Sequence, residues 1–346
     1  MTANCARNLN TFRIHYPLNG LHDAHIDRWV KLALSKNVAN LEINLSTFYG
    51  LPKGFDIYPI LRNFLFIYPG HNNHQLFLKS LHLEAICIDG RVLENVLANC
   101  LNLESLTVRT CRFYTVIVRP VKNNFLKHFE LFWCHQIESL EISAPKLTSF
   151  ILFSASKKLE VEYTSVPSVV NVTFGGHYCY RVLYGLHLIS AFSHRLQKLS
   201  LNWNRKSRAS AGLPVLPRDS LLSFIVACPL LHTFKLELVP LIGEAAVMPI
   251  ALKDAKINYT MRAHRQLKVL ELIGFDGSAS VAEFAFCLTQ NAPMLKKIIC
   301  DTRCPQLKGF VNKWYDQENI DNIASARRQA KLLAKQIQRG IDVVIL

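Results

Sequence analysis

Residues 103–108 read LESLTV, a phrase in which apolar side chains occupy the first, fourth and sixth positions. The same apolar-x-x-apolar-x-apolar phrase recurs from one end of the chain to the other. Its eleven copies begin at Leu9, Val38, Leu78, Leu103, Leu126, Leu147, Val169, Leu196, Leu231, Leu267 and Leu295. Successive copies start about 29 residues apart on average, which is the spacing of a structural repeat.

Each phrase predicts a short β-strand, because side chains alternate across a strand and the fourth and sixth positions then face the same side. A single strand cannot bury that apolar side, whereas copies stacked side by side form a continuous core. The phrase and its spacing together indicate a leucine-rich-repeat solenoid of the α/β class. We expect a curved parallel sheet on its concave side and helices or short strands on its convex side.

Segments with helical periodicity separate several of these strands. The five predicted helices cover residues 23–35, 89–98, 180–192, 219–227 and 278–291. The shorter repeats in the middle of the chain leave no room for a helix, so residues 137–142 and 159–163 are predicted to form short strands on the convex side. A β-sandwich is the alternative architecture, but the helical segments favour the solenoid.

The composition is that of a folded protein with an excess of positive charge. Half of the 346 residues are hydrophobic and 19% are charged, which excludes a disordered chain, and the net charge is +15. No apolar stretch is long enough to cross a bilayer, and the first residues show no signal-peptide core. We therefore expect a cytoplasmic or nuclear protein without a membrane partner, whose ten cysteines are buried thiols.

A more specific pattern begins at Leu267. Residues 267–277 read LKVLELIGFDG and residues 291–299 read NAPMLKKII, with Glu283, Phe284 and Phe286 between them. This pattern resembles the FBD segment of plant F-box/leucine-rich-repeat proteins, which closes their solenoid. Residues 25–43 are similar to the first repeat of that family, and residues 132–151 to its middle repeats.

The resemblance implies a domain organisation and a function. Residues 1–301 would form the solenoid, with 262–301 as its FBD-like segment, and residues 302–346 a linker and a C-terminal amphipathic basic helix. Proteins of the family use the solenoid to present a protein substrate to a cullin-RING ubiquitin ligase of the SCF type. Their F-box docks onto the Skp adaptor of that ligase.

No Leu-Pro-rich helical module resembling an F-box precedes the first repeat in this sequence. The Skp adaptor is therefore an expected partner only if the full gene product contains an F-box. A free-standing scaffold or decoy without a ligase is one alternative function. A basic nucleic-acid binder is another, which the dispersed positive charges disfavour.

Candidate catalytic and metal-binding patterns are weak. His71 and His74, or Cys300 and Cys304, have spacings found in metal sites, but the two pairs share no local frame. Pairs such as Cys134 and His135 have no third group at a fixed spacing that would orient them. We therefore expect no enzyme activity, no cofactor and no metal.

The side of the strands opposite the core is the candidate binding surface, because a solenoid usually binds its partner there. Side chains at the third, fifth and seventh positions of the phrase point to that side. The candidate residues are Arg13, Glu42, His82, Arg109, His128, Glu130, Phe132, Phe153, Lys198, Asn202, Lys235 and Glu271. Their mixed charges and aromatic rings favour a protein client over a phosphate backbone, the alternative being a solvated face without any ligand.

The C-terminal segment 322–339 contains five basic residues and no acidic residue. If it is helical, Ile323, Ala326, Ala330, Leu333 and Ile337 share one face and a basic stripe lies beside it. We expect this helix to cap the last repeat, with binding of an acidic partner or of a membrane surface as alternatives. Leu332 falls on the basic side, which disfavours the membrane.

Overall fold

The computed structural model describes residues 9–18, 20–46, 77–88, 93–94, 96–97, 100–113, 117–118, 125–134, 137–154, 156–204, 216–239, 262–303, 317–337 and 340–346. They belong to two compact units, which we call unit 1 (Met1–Val169) and unit 2 (Val170–Leu346). Of the predicted helix at 89–98, the four described positions (93, 94, 96 and 97) are helical.

Unit 1 contains eleven described strands and one described α-helix. They are β1 Thr11–His15, α1 Asp23–Ser35, β2 Asn40–Asn44, β3 Ser80–Glu84, β4 Cys87–Ile88, β5 Ser105–Arg109, β6 Arg112–Phe113, β7 Ile117–Val118, β8 His128–Cys134, β9 Ser139–Ser143, β10 Ser149–Ser154 and β11 Glu160–Ser165. Strands β1, β2, β3, β5, β8 and β10 pair in that order in a parallel sheet. Separate sheets join β11 to β9 and β7, and β4 to β6.

Unit 2 has the same arrangement of successive parallel strands. It contains β12 Asn171–Gly175, α2 Gly176–Tyr184, β13 Lys198–Asn204, α3 Arg218–Val226, β14 Thr233–Val239, β15 Val269–Ile273, α4 Ala279–Asn291, β16 Lys297–Asp301, α5 Gln317–Gln336 and β17 Asp342–Ile345. The six strands pair in chain order, each parallel to the next. This order within each unit is the leucine-rich-repeat arrangement that the sequence predicts.

The apolar positions of the phrase form the core, as the alternation predicts. In unit 1, the fourth positions of neighbouring strands lie side by side, and Leu41, Leu81 and Leu106 are each at most 1% exposed. In unit 2, Leu199 and Phe234 occupy the equivalent row and are fully buried. All eleven predicted strands are confirmed, since each copy of the phrase contains one of the strands β1, β2, β3, β5, β8, β10 and β12 to β16.

The elements between the strands follow the prediction in part, and the short strands β4, β6 and β7 were not predicted. Residues 139–143 and 160–165 are short strands outside the main sheet, as expected. The helix predicted at 180–192 begins four residues earlier, at Gly176, and ends at Tyr184. Two short 3₁₀ helices follow it, at Leu186–Ile189 and Ser193–Arg195. Gly185, with φ of −130° and ψ of 70°, lies outside the helical region and separates the α-helix from the first 3₁₀ helix.

Helix α5 packs against the last described repeat of unit 2. Ala326, Ala330 and Leu333 on its predicted apolar face are at most 3% exposed. Gly277 lies against the helix, since a Cβ added there would be 2.8 Å from the Cγ of Gln329. Helix α5 then leads into β17, a strand that the sequence did not predict and that pairs with β16. The segment 302–346 therefore belongs to unit 2 and adds a further repeat-like strand.

Among the described helices, none has the length and apolar character needed to span a membrane.

Candidate functional site

Within each unit, the predicted surface residues lie on one face of the parallel strands, which we call the strand face of that unit. In unit 1, Arg13, Glu42 and His82 are aligned across β1, β2 and β3. Two residues further along the strands, Arg109 on β5 is opposite Phe132 on β8, and Phe132 is opposite Phe153 on β10. The sheet therefore brings together residues that are up to 140 positions apart in sequence, from Arg13 to Phe153.

Glu130 is the centre of a charged cluster on the strand face of unit 1. One of its carboxylate oxygens lies 2.6 Å from Nε of Arg109, and the other lies 3.8 Å from Nε2 of His128. Burial raises the pKa of Glu130, but the interactions with His128 and Arg109 outweigh this effect and hold the pKa below its ordinary value. The carboxylate is thus ionised and holds the Arg109 side chain in place.

An aromatic cluster adjoins this ion pair. The ring of Phe153 lies 4.8 Å from the ring of Phe132 and 4.7 Å from that of Trp133, measured between centroids. The guanidinium carbon of Arg109 lies 5.6 Å from the centre of the Phe132 ring, within the range of a cation–π interaction. Phe132 and Trp133 are partly exposed, so an aromatic surface with a cation beside it faces outward. We call Arg109, Phe132, Trp133 and Phe153 the aromatic cluster.

Trp133 is a member of this cluster that the sequence did not predict. Strict alternation places residue 133 on the core side of β8. Instead, the backbone at Trp133 is left-handed, with φ of 53°, and the pairing with β10 skips this residue, since Ser154 is opposite Cys134. Such a bulge turns a side chain away from its alternating position. The residues FWC at 132–134 do not show in the sequence whether the side chain of Trp133 lies on the core side or on the strand face.

A second polar group lies on β1, β2 and β3. Arg13 forms an ion pair with Glu42. Glu84 accepts a hydrogen bond from Nδ2 of Asn44 at 3.2 Å, and Nε2 of His82 lies 3.2 Å from the same carboxylate oxygen. The charges on this part of the strand face are therefore largely compensated by their neighbours.

In unit 2 the predicted residues form a smaller polar group. Nδ2 of Asn202 donates to Glu237 at 2.9 Å, and Lys235 lies 2.5 Å from the other oxygen of Glu237. Glu271 lies opposite Lys235 in the register of β14 and β15. Lys198 is exposed at the start of β13 and lies outside this group.

Three of the predicted surface residues are buried, which corrects the expectation that they are exposed. Glu130 is 4% exposed, Phe153 is 5% exposed and Asn202 is 8% exposed. They do lie on the strand face, but their neighbours cover them: Arg109 and His128 contact Glu130, while Phe132 and Trp133 contact Phe153. Any partner would meet the covering side chains first.

The described cysteines are not suited to catalysis or metal binding. All eight are free and buried. Burial raises the pKa of Cys100, Cys228 and Cys300 to about 12, so these thiols are protonated at neutral pH. The thiolate, and not the thiol, is the nucleophile and the metal ligand. Of the candidate metal ligands, His71, His74 and Cys304 lie outside the described residues, as does His135. The described residues contain no group of three His, Cys, Asp or Glu side chains that could hold a metal.

The strand face can thus bind through packing, ion pairs and hydrogen bonds.

Comparison with known proteins gives one positive result. The model of the LRR domain of the At1g61320/AtMIF1 family matches residues 69–343, a range that ends within β17. No curated protein and no solved structure is significantly similar to the chain. Leucine-rich-repeat domains are typically non-catalytic scaffolds that bind proteins. Since the match covers well over half of the sequence, the chain belongs to the family defined by the At1g61320/AtMIF1 leucine-rich-repeat domain.

Proposed function

We propose that this chain recognises a client protein through the strand face of unit 1. The aromatic cluster is the observation that carries the proposal. Aromatic and arginine side chains supply most of the binding energy in protein interfaces, because they bury a large area and offer directed polar contacts. Here Phe132 and Trp133 are partly exposed beside Arg109, whose side chain is 43% exposed. The buried ring of Phe153 supports them from below.

Pre-organisation of Arg109 supports the same proposal. Glu130 is ionised and almost fully buried, and it holds the guanidinium beside the Phe132 ring before any client arrives. A side chain that is already ordered loses less conformational entropy on binding than a mobile one does. We therefore expect Arg109 and Phe132 to act together as one anchor, which accepts an apolar or aromatic side chain of the client.

We further propose that the client is presented to a cullin-RING ubiquitin ligase. The resemblance of residues 262–301 to the FBD segment of plant F-box/leucine-rich-repeat proteins supports this finer proposal. The chain would only bind, since the ubiquitin chemistry belongs to other subunits, and an F-box in the full gene product would recruit the Skp adaptor. A free-standing scaffold or decoy is the alternative, in which the client is bound but no ligase subunit is recruited.

Affinity purification with matched variants tests whether the strand face of unit 1 binds the client. Phe132→Ala removes one of the two partly exposed rings of the aromatic cluster. The control is Trp29→Ala, which removes an aromatic ring that is 41% exposed on α1. We expect one or more proteins to be recovered with the wild type and with Trp29→Ala but lost with Phe132→Ala. If every protein retained by Trp29→Ala is also retained by Phe132→Ala, the aromatic cluster does not bind the client.

The same purifications test the ligase. Co-recovery of the client with the Skp adaptor and a cullin supports ubiquitin-ligase membership. Recovery of the client by the full gene product without those subunits supports the scaffold or decoy instead. These outcomes do not depend on whether Phe132 is the anchor, so the two parts of the proposal can fail separately.

A further inference from the structure

The residues that precede the strands of unit 2 form a ladder along one edge of the sheet. The backbone N–H of His232 donates to the carbonyl of Gln197 at 2.8 Å, that of Lys268 to His232 at 2.8 Å, and that of Lys296 to Lys268 at 2.9 Å. These residues therefore lie on neighbouring strands, about 4.8 Å apart. Lys198 and Lys297 follow directly in β13 and β16. We call His232, Lys268 and Lys296, together with Arg265, Lys198 and Lys297, the basic rim.

In the same ladder of unit 1, a carboxylate partly compensates the positive charge. There the equivalent positions are Lys79, Glu104 and Lys127, joined by backbone hydrogen bonds of 2.8 Å. Nζ of Lys127 lies 2.9 Å from the Glu104 carboxylate, and its hydrogen bond is the main cause of the lowered pKa of Glu104. In unit 1 a carboxylate thus lies between two lysines.

The basic rim of unit 2 has no such compensation within the ladder. Arg265, Lys268 and Lys296 are exposed, and none of them forms an ion pair with any residue in the described part of the chain. Asp342 is opposite Lys297 in the register of β16 and β17 and is the one acidic residue among the described first residues of the strands of unit 2. At the described strand starts, one carboxylate lies against five lysine and arginine side chains, so the rim carries an excess of positive charge.

Apolar side chains lie beside these cations. Leu230 and Met294 are 44% and 43% exposed, and each comes two positions before a rim residue, His232 and Lys296 respectively. Exposed leucine and methionine side chains can add apolar contacts to a protein interface, where methionine is enriched.

The backbone of the rim is held in a defined position by His264. Its Nε2 lies 2.9 Å from the carbonyl oxygen of Cys228, so it donates there, and its Nδ1 accepts the N–H of Leu267 at 3.0 Å. His264 is 4% exposed and lies next to Arg265. The turn that carries Arg265 and leads to Lys268 is therefore pre-organised rather than ordered by a ligand.

We propose that the basic rim binds an acidic segment of a partner protein. Carboxylates of the segment would pair with Lys268 and Lys296, and its apolar side chains would contact Leu230 and Met294. The rim lies in unit 2 and the aromatic cluster in unit 1, so this proposal does not rest on the proposed client binding. Charge complementarity favours an acidic partner, and the apolar side chains favour a peptide over a phosphate backbone.

Fluorescence anisotropy with a synthetic peptide tests the rim. The probe is a fluorescein-labelled peptide in which glutamate alternates with leucine, titrated with the full chain at low and at high salt. We expect the double variant Lys268→Glu/Lys296→Glu to weaken binding at least about tenfold at low salt. The matched control is Lys157→Glu/Lys158→Glu, which changes the charge equally at two exposed lysines of unit 1. It should change the affinity less than about twofold.

The apolar contact is tested with Met294→Ala and a second probe. This variant should weaken peptide binding also at high salt, where ion pairs are screened. It should not affect binding of a labelled DNA duplex. Absence of peptide binding at low salt, or an equal loss in the two double variants, would overturn the proposal. Tighter binding of the duplex than of the peptide, with no effect of Met294→Ala on either, would assign the rim to nucleic acid instead.

Discussion

At the scale of single residues, the strand face is defined by side chains that hold one another. Arg109 lies between the buried carboxylate of Glu130 and the ring of Phe132. The phrase in the sequence predicts that these three residues share a face, because they occupy its fifth and seventh positions. It does not predict that Glu130 is buried, since burial depends on the length and direction of the side chains on neighbouring strands.

Glu130→Gln should lower stability in a pH-dependent way. The pKa of Glu130 is held below the ordinary 4.5 in the folded protein, so its contribution to stability is present above pH 4.5 and lost as the pH falls through the folded pKa. We expect the variant to reduce the free energy of unfolding by about 1–2 kcal/mol at pH 7, with the difference shrinking below pH 4.5. Urea unfolding at several pH values measures it. Glu160→Gln on the exposed side of β11 is the control, and an equal, pH-independent loss in both variants would contradict the assignment.

At the scale of elements, the strands were predictable and their exceptions were not. Every strand of the eleven copies follows from apolar residues at fixed positions, because only stacking buries them. Strand β17 was missed because its sequence, DVVI, lacks the leading apolar-x-x part of the phrase. The early start of α2 at Gly176 was missed because that residue is a glycine with φ of 62°. The bulge at Trp133 likewise depends on backbone geometry that the pattern does not encode.

The alternation within β5 gives a direct stability prediction. Leu106 is fully buried, and its neighbour Thr107 lies on the strand face. Leu106→Ala should lower the free energy of unfolding by about 2–5 kcal/mol, because it removes core contacts and leaves a cavity. Thr107→Ala should change it by less than about 0.5 kcal/mol. Chemical denaturation of the two variants measures both values, and similar losses would show that β5 does not present one side to the core.

The packing of α5 against its repeat depends on Gly277. This residue has φ of +82°, and an added Cβ would lie 2.8 Å from Gln329 Cγ. Gly277→Ala should therefore lower the free energy of unfolding by about 1–3 kcal/mol, through backbone strain and the collision with α5.

Gly340→Ala is the matched control for that experiment. Gly340 also has a positive φ, of +112°, but an added Cβ would meet nothing within 4 Å. Thermal or urea unfolding of both variants separates strain from collision. If Gly340→Ala is as destabilising as Gly277→Ala, the collision with α5 does not contribute to the loss of stability in Gly277→Ala.

At the scale of the whole molecule, the sequence predicted the fold class, the reduced cysteines and the mixed surface better than the site. The fold class and the burial of the cysteines were predictable, because both follow from which positions of the repeated phrase are apolar. The position of the positive charge was less predictable. The sequence drew attention to the C-terminal helix, whereas the ladder of Lys268 and Lys296 becomes visible only when strands from different repeats are placed side by side.

The buried thiols predict the chemical behaviour of the whole chain. In a variant with Cys5 and Cys304 replaced by serine, the eight described cysteines remain, all of them buried. We expect none of them to react with a thiol reagent such as dithionitrobenzoate under native conditions, and all eight to react after unfolding. Spectrophotometric titration counts the reactive thiols. Rapid reaction of a native thiol would show that the corresponding repeat is open to solvent.

Site-specific photo-crosslinking tests most directly that the strand face of unit 1 binds the client. A photoreactive amino acid at Thr107 lies on the strand face, opposite Glu130 in the register, whereas one at Glu162 is exposed on β11 outside the main sheet. We predict a crosslinked protein from position 107 that Phe132→Ala abolishes, and no such product from position 162. The same product from position 162 but not from 107, or one from 107 that Phe132→Ala leaves unchanged, would contradict binding through the aromatic cluster.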